Sequence, residues 1–328
     1  MPSEVTFEIV QNDHATLGHI TLNRPKALNA LSIDMLTTLT ELLTTCEQDP
    51  AITAVIIEGA GDRAFCAGGD IRWVYHHRDQ IISGDAPYFE YEYHLNELLY
   101  NFSKPYIALL DGITMGGGIG ISLWGSHPIA TERLLFAMPE TGIGLFPDIG
   151  ASYFLTRLPH RFGWYLGLTG NSINAYEALT LGLVKTVIPH DTLNTFKTEL
   201  NPHNIILPTP MALATASDLL DHQADIEHCF NQPSVSHIIS SLMQKDDWCQ
   251  SIAATLKTRS PLSLKITFDY LNTSIGMSFS DVMVLNKEIV VRFLENSDFF
   301  EGVRAVMIDK DKNPQWQHRI EDVDQIGN

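Results

Sequence analysis

The 328-residue chain has only four cysteines, and no two of them lie close together in the sequence. Cys46, Cys66, Cys229 and Cys249 are scattered along the chain, which indicates neither a disulfide framework nor a structural zinc site. The thirteen histidines show no metal-binding spacing either, so we expect no metal and no separate cofactor. Reduced thiols are typical of a reducing compartment, and we predict a cytoplasmic location.

Long apolar runs and basic charge are also scarce. No stretch approaches the roughly 18 consecutive apolar residues that a membrane span needs. The first five residues, MPSEV, lack the features of a signal or transit peptide. With 39 acidic against 21 basic residues, the formal net charge is -18, which repels nucleic acid and anionic membranes. We therefore expect neither as a partner, and an anionic small molecule must be held by local groups.

The chain has no serine or cysteine in a G-x-S-x-G turn, which argues against a thioesterase of the α/β-hydrolase type. It does have two carboxylates in unusual surroundings. Glu140 and Asp148 lie eight residues apart in an apolar, glycine-rich run from 136 to 150 that contains no basic residue. Carboxylates are costly to place there, so we infer that at least one of them has a chemical role.

The pattern of apolar residues predicts an α/β fold. A hairpin is expected over 5–10 and 17–22, a helix capped by Ser32 follows, and buried strands are expected over 54–59 and 105–111. Strand, glycine-rich turn and helix then alternate through Val187, as in an α/β core. From about residue 201 the chain is helix-prone, with helices beginning near Pro261 and Phe279. We predict a core over 1–200 and a helical C-terminal region over 201–328.

Two predicted strands end in turns with unusual glycine density, at 64–70 and 112–120. Glycine lets the backbone turn sharply and lets a ligand approach the amide groups. If both turns face one pocket, an N–H from each forms an oxyanion hole. Two alternatives remain open at this point. The glycines serve only tight turns and close packing, or they bind phosphate, although the G-x-G-x-x-G pattern fails at its third glycine.

Three segments together resemble the enoyl-CoA hydratase/isomerase (crotonase) superfamily. They are residues 65–70 (FCAGGD), 112–118 (GITMGGG) and 23–31 (NRPKALNAL). The resemblance spans roughly residues 5–189 and implies a crotonase-like spiral of ββα units. It also implies an acyl-CoA substrate whose thioester carbonyl accepts hydrogen bonds from the amides of Ala67 and Gly117, with Gly68 and Gly116 beside the substrate. The family type of hydratase has two glutamates. Here Gly120 stands at the first position, and only the second, Glu140, is an acid.

The run around Glu140 and Asp148, together with the late segments 260–265, 298–305 and 309–316, resembles the 3-hydroxyisobutyryl-CoA hydrolases of that superfamily. The resemblance implies thioester hydrolysis in valine catabolism, with Glu140 as the nucleophile or as a general base on water. Asp148 is expected to position the substrate's 3-hydroxyl or to move protons at the leaving thiolate. Its alternative is a purely structural helix cap.

The resemblance adds weaker expectations. Glu92 aligns with a glutamate that contacts substrate, although by pattern alone it is a surface acid on an amphipathic helix. Arg24 and Lys26 are candidates to meet the CoA phosphates. Asp70 is expected to hold the first glycine turn by accepting backbone N–H bonds. Rival functions are a double-bond isomerase of the same fold and a non-catalytic acyl-CoA-binding protein. A homo-oligomer formed through the C-terminal helices remains open, as does a C-terminal region folded over its own core.

Overall fold

The computed structural model describes residues 3–202, 205, 207–212, 217–295 and 297–327. The β-strands in these residues form two sheets. The strands are β1 (Val5–Gln11), β2 (Thr16–Leu22), β3 (Ala54–Gly59), β4 (Ala64–Cys66), β5 (Tyr106–Leu110), β6 (Ile113–Met115), β7 (His127–Thr131), β8 (Leu135–Ala137), β9 (Ile173–Asn174) and β10 (Thr186–Ile188).

The larger sheet has six strands in the order β1-β2-β3-β5-β7-β10. Strands β1 and β2 form the predicted antiparallel hairpin, and every later neighbour in the sheet pairs in parallel. The parallel strands are apolar because both faces of such a sheet are covered. β5, for example, is buried along its whole length. The smaller sheet has the order β4-β6-β8-β9.

The strands follow one another in a repeating order. A strand of the large sheet is followed by a short strand of the small sheet, as in β3–β4, β5–β6 and β7–β8, and helical segments come next. Each glycine-rich segment contains one short strand of the small sheet, β4 or β6, and leads into a helix. This confirms the predicted α/β fold built from ββα units.

The α-helices that alternate with the strands are α1 (Ile33–Gln48), α2 (Ile71–His76), α3 (Arg78–Ser83), α4 (Tyr88–Tyr100), α5 (Gly117–Leu123), α6 (Ala151–Leu155), α7 (Phe162–Thr169), α8 (Ala175–Thr180) and α9 (Leu193–Glu199). α1 begins as predicted, since the Ser32 hydroxyl accepts a hydrogen bond from the Met35 N–H at 3.1 Å.

The C-terminal helices are α10 (Asp218–Asp221), α11 (Gln223–Phe230), α12 (Val235–Leu242), α13 (Asp247–Thr258), α14 (Pro261–Thr273), α15 (Phe279–Glu295) and α16 (Ser297–Val303), followed by a π-helical turn at Arg304–Ile308. Within the described part of 217–327 there is no strand, as the sequence predicted for this region. None of the helices in the described residues is both long and apolar enough to cross a membrane.

The chain divides into two compact units that do not follow the predicted division at residue 200. Unit 1 consists of Met1–Asp70, Glu90–Phe136 and Ile173–Ala216, and unit 2 consists of Ile71–Phe89, Ala137–Ser172 and Ser217–Asn328. The segment that carries Glu140 and Asp148 therefore belongs to the same unit as the C-terminal helices. All four cysteines are buried and free, Cys46 and Cys66 in unit 1 and the others in unit 2.

Each unit has its own apolar interior. In unit 1 the large sheet packs through a cluster of buried aliphatic side chains: Leu17, Ala54, Ile56, Ile107, Leu109, Ile129, Ile188, Leu193 and Leu200. In unit 2 the Phe146 ring packs on Tyr270 and Phe293, with ring centroids 5.4 and 5.3 Å apart. Buried aromatic rings of this size contribute much of a core's hydrophobic stabilisation.

Candidate active site

The two glycine-rich turns meet in unit 1, backbone against backbone. A Cβ on Gly68, whose φ is 106°, would lie 3.2 Å from the Met115 carbonyl oxygen and 3.5 Å from the Gly117 nitrogen. A Cβ on Gly118 would lie 2.3 Å from the Cys66 carbonyl oxygen. The structure thus brings the two predicted turns together, and glycine is needed because the approach leaves no room for a side chain.

The amide of Ala67 is already used by the fold. Its N–H donates to the Leu28 carbonyl at 3.0 Å, so it is not available to a substrate oxygen, and the prediction of Ala67 as a donor needs correction. The Gly69 nitrogen lies 3.4 Å from where a Cβ on Gly117 would be. Among the described residues, no acceptor takes the N–H of Gly69 or of Gly117. These two amides are the better candidate pair for an oxyanion hole.

The segment before α1 binds the first glycine turn through its backbone. Leu31 donates its N–H to the Gly68 carbonyl at 2.8 Å and accepts from the Asp70 N–H at 2.9 Å. Together with the Leu28 carbonyl, these bonds fix the first glycine turn from one side. Sequence reasoning missed them because the partners are about 40 positions apart.

Glu92 lies beside Gly117 in the same unit. Its side chain is only 4% exposed, so the interpretation as a surface acid is wrong. Its Oε1 atom lies 2.1 Å from the position that a Cβ on Gly117 would take. Burial raises the pKa of the Cys66 thiol in this turn to about 12, and the negative charge of Glu92 adds to the effect. The Cys66 thiol therefore stays protonated and does not compete as a nucleophile.

Arg24 is held by the protein's own carboxylates. Its guanidinium contacts Asp70 at 2.8 Å and Glu4 at 3.0 Å, so Asp70 braces the turn through Arg24. Lys26 is exposed at a groove of about 820 Å³ that Arg24 also lines. The role of these two residues toward CoA phosphates stays a prediction. Lys26 is the better candidate, because the Arg24 guanidinium is already paired with two carboxylates.

Glu140 begins a 3-10 turn, Glu140–Ile143, in unit 2, and its side chain is 5% exposed. The turn is fixed on three sides. The Leu145 N–H donates to the Glu140 carbonyl at 3.0 Å, and the Thr141 hydroxyl donates to the Leu168 carbonyl at 3.0 Å. The Ser260 N–H at the start of α14 donates to the Thr141 carbonyl at 3.2 Å. The backbone beside Glu140 is therefore well ordered by its neighbours.

Helix α16 packs directly on this turn. A Cβ on Gly302 would lie 2.3 Å from the Ile143 carbonyl, and a Cβ on Gly144 would lie 2.2 Å from the Asp298 carbonyl oxygen. The buried Asp298 carboxylate also accepts from the Ser260 hydroxyl at 2.7 Å. The late sequence motifs thus support the Glu140 turn, a role that their spacing did not indicate.

A basic side chain reaches the Glu140 run from elsewhere in unit 2. The Arg259 guanidinium lies 3.2 Å from where a Cβ on Gly142 would be, and its Nε donates to the Thr169 carbonyl at 2.7 Å. Burial lowers the pKa of Arg259. The sequence run lacks a base, but the fold supplies one from the end of α13.

Asp148 is 4% exposed and lies at the first position of a tight turn. The Ala151 N–H donates to its carbonyl at 2.7 Å, and the two central residues, Ile149 and Gly150, have φ values of 54° and 77°. For a β-branched residue such a φ is an outlier that costs on the order of 1–3 kcal/mol. The N-cap residue of helix α6 is Gly150, two positions after Asp148, so Asp148 does not occupy the cap position itself.

The predicted site residues thus fall into two sets. Gly68, Gly116, Gly117 and Glu92 lie together in unit 1, with Gly69 replacing Ala67 as amide donor. Glu140 and Asp148 are both buried in unit 2. The first set offers hydrogen-bond donors to a carbonyl oxygen, and the second offers carboxylates able to attack a carbonyl carbon or to accept a proton.

Comparison with known proteins gives consistent matches over nearly the whole chain. A family model described as enoyl-CoA hydratase/isomerase matches residues 17–326. The mitochondrial 3-hydroxyisobutyryl-CoA hydrolase of Mus musculus is 40% identical, over 92% of this chain and 82% of its own. The 3-hydroxyisobutyryl-CoA hydrolase 1 of Arabidopsis thaliana is 39% identical, over 96% of this chain and 89% of its own.

Among solved structures, an enoyl-CoA hydratase from Rhodobacter sphaeroides 2.4.1 superposes with a TM-score of 0.90 at 32% identity. The match covers 97% of this chain and 94% of that one. A carnitinyl-CoA dehydratase from Mycobacterium thermoresistibile gives a TM-score of 0.86 at 30% identity.

The contact of the glycine turns predicts an asymmetry between neighbouring substitutions. Gly118→Ala forces a methyl group against the Cys66 backbone, and we expect it to lower the free energy of unfolding by about 1–3 kcal/mol. Gly117→Ala meets the end of the flexible Glu92 side chain instead, so its effect should be much smaller. Denaturant unfolding of both variants measures the difference. Equal stability of the two would contradict the packing described for these turns.

Proposed function

This chain belongs to the enoyl-CoA hydratase/isomerase family, and from that premise we propose that it is an acyl-CoA thioesterase. Its substrate is 3-hydroxyisobutyryl-CoA or a similar short β-hydroxyacyl-CoA, which it cleaves to the free acid and CoA. The hydrolase activity named for the mouse and Arabidopsis relatives supports this substrate. The reaction belongs to valine catabolism.

The observation that carries the proposal is which of the two glutamate positions of a family hydratase holds an acid in this chain. A hydratase of the family type uses two glutamates to add water across a double bond. Here the position of the first is Gly120, a buried residue of α5 that brings no acid. Glu140 is present, buried and held in an ordered turn. Of the two positions that hold glutamates in such a hydratase, only this one is an acid here, and one acid suits attack on a carbonyl better than it suits hydration by a pair.

In the proposed reaction, the amides of Gly69 and Gly117 form the oxyanion hole and donate to the thioester oxygen. Glu140 attacks the carbonyl carbon, the bond to sulfur breaks, and CoA leaves as the thiolate while a mixed anhydride forms. Water then cleaves the anhydride, which releases the acid and restores Glu140. The alternative is that Glu140 takes a proton from the water that attacks the thioester directly. Both routes use the Glu140 carboxylate.

The remaining side chains have supporting roles in this proposal. Asp148 positions the 3-hydroxyl or delivers a proton to the leaving thiolate. Glu92, with Gly68 and Gly116, contacts the acyl group near the hole, and Lys26 meets a CoA phosphate. No cofactor is needed, because CoA is part of the substrate.

We also propose a cytoplasmic location and leave a homo-oligomer as a prediction. The four buried free cysteines support a reducing compartment. The name of the mouse relative describes that protein as mitochondrial, and this location is not carried over to the present chain. The rival function is double-bond isomerisation, which also uses acids in this family, and it is weakened by the same absence of an acid at Gly120.

Removing the negative charge of Glu140 should stop the reaction without unfolding the protein. We expect Glu140→Gln to lower kcat for CoA release by about 10²–10⁴-fold, as for the loss of a nucleophile or general base. Glu90→Gln makes the same change at an exposed position and is the control, with activity near that of the parent protein. Steady-state assay and circular dichroism of both variants check this. Full activity of the Glu140 variant overturns the assignment.

A trapping experiment separates the nucleophile from the general base. If a mixed anhydride forms, hydroxylamine should capture the acyl group as a hydroxamate in the presence of active protein. A single turnover in ¹⁸O-water should place label in the Glu140 peptide if water attacks the glutamyl carbon. Mass spectrometry detects both products, and Glu140→Gln serves as the blank. Absence of both hydroxamate and label would favour the general-base route.

A further inference from the structure

The turn that carries Asp148 is held in a conformation that its sequence disfavours. Ile149 has a φ of 54° and is fully buried, and Gly150 follows with a φ of 77°. Two successive positive φ values are usual for asparagine or glycine, whereas a β-branched residue avoids them. Such a turn persists only where its surroundings fix it.

One constraint comes from the side-chain carbonyl of Asn286 on α15. The Oδ1 atom accepts a hydrogen bond from the Gly150 N–H at 2.7 Å and a second from the Tyr270 hydroxyl at 3.0 Å. Asn286 is fully buried, and Tyr270 is buried on α14. Burial raises the pKa of the Tyr270 phenol, so the hydroxyl keeps its proton and remains a donor. The contact joins the turn to two C-terminal helices.

The orientation of the Asn286 amide follows from these partners. An N–H can donate only to an acceptor, so the atom facing Gly150 is the carbonyl oxygen. Within the described parts of the chain, the Nδ2 group on the other side has no hydrogen-bond acceptor. An unsatisfied buried donor lowers stability. The favourable contacts of this side chain are therefore the two hydrogen bonds that its oxygen accepts.

We propose that Asn286 is a positioning residue for Asp148. By binding the Gly150 amide, it keeps the turn at Asp148–Ala151 in its left-handed form and so fixes the direction of the Asp148 carboxylate. Tyr270 assists by orienting the same oxygen. This inference rests on the proposed function, because it gives the Asp148 carboxylate a task in thioester hydrolysis.

The first experiment measures the hydrogen bond between the Gly150 amide and Asn286 and does not depend on activity. Asn286→Leu keeps the approximate size of the side chain and removes the acceptor. Asn272→Leu makes the same change at an exposed position of α14 and is the control. Hydrogen exchange followed by mass spectrometry should show faster exchange of the Gly150 amide in Asn286→Leu alone. Unchanged exchange in that variant overturns the proposal.

The second experiment tests whether Asn286 acts through Asp148. We expect Asn286→Leu to lower kcat by about 10²-fold, as a displaced catalytic group does. In an Asp148→Asn background the same substitution should change kcat by less than about twofold, because the carboxylate that it positions is already gone. An equal loss in both backgrounds indicates general damage and overturns the proposal, as does an unchanged kcat in the parent background.

Ile149→Gly provides a rescue that stability alone does not predict. Glycine adopts a positive φ without strain, so adding it to Asn286→Leu should restore part of kcat. It also removes a buried side chain, so the double variant should be less stable than Asn286→Leu. No recovery of kcat contradicts the proposal. If the parent protein releases no CoA at all, the proposed function fails, while the exchange of the Gly150 amide still decides whether Asn286 holds the turn.

Discussion

The close approach of two glycine turns is the constraint on which the candidate oxyanion hole in unit 1 depends. Gly118 lies so near the Cys66 carbonyl that no side chain fits between them. This approach places the nitrogen of Gly69 beside Gly117 and leaves both N–H groups without an acceptor among the described residues. Two such amides, fixed before any substrate arrives, stabilise negative charge without reorganising during the reaction.

A related constraint acts in unit 2, where the two carboxylates lie on short turns rather than on long helices. The Glu140 turn is fixed by α14 and by α16, which contacts it through Gly302. The Asp148 turn is fixed by Asn286 on α15. The C-terminal helices therefore order the segment that contains Glu140 and Asp148. This gives a physical reason for the late motifs at 260–265 and 298–305.

The sequence was sufficient to predict features that depend on local chemistry. Strand β3, the cap at Ser32, the start of α14 at Pro261 and the two glycine turns all follow from neighbouring residues. It was insufficient where partners come from distant segments. The use of the Ala67 amide by Leu28, the burial of Glu92 and the approach of Arg259 depend on tertiary packing, and periodicity carries no signal for them.

We propose that this chain cleaves a thioester and does not act on a double bond. The most direct measurement incubates the protein with 3-hydroxyisobutyryl-CoA and follows both products by mass spectrometry, with free CoA titrated by a thiol reagent. The protein's own cysteines are buried and interfere little. Thioester hydrolysis gives equal amounts of CoA and 3-hydroxyisobutyrate. Formation of an unsaturated acyl-CoA with its thioester bond intact, or no reaction at all, would contradict the proposal.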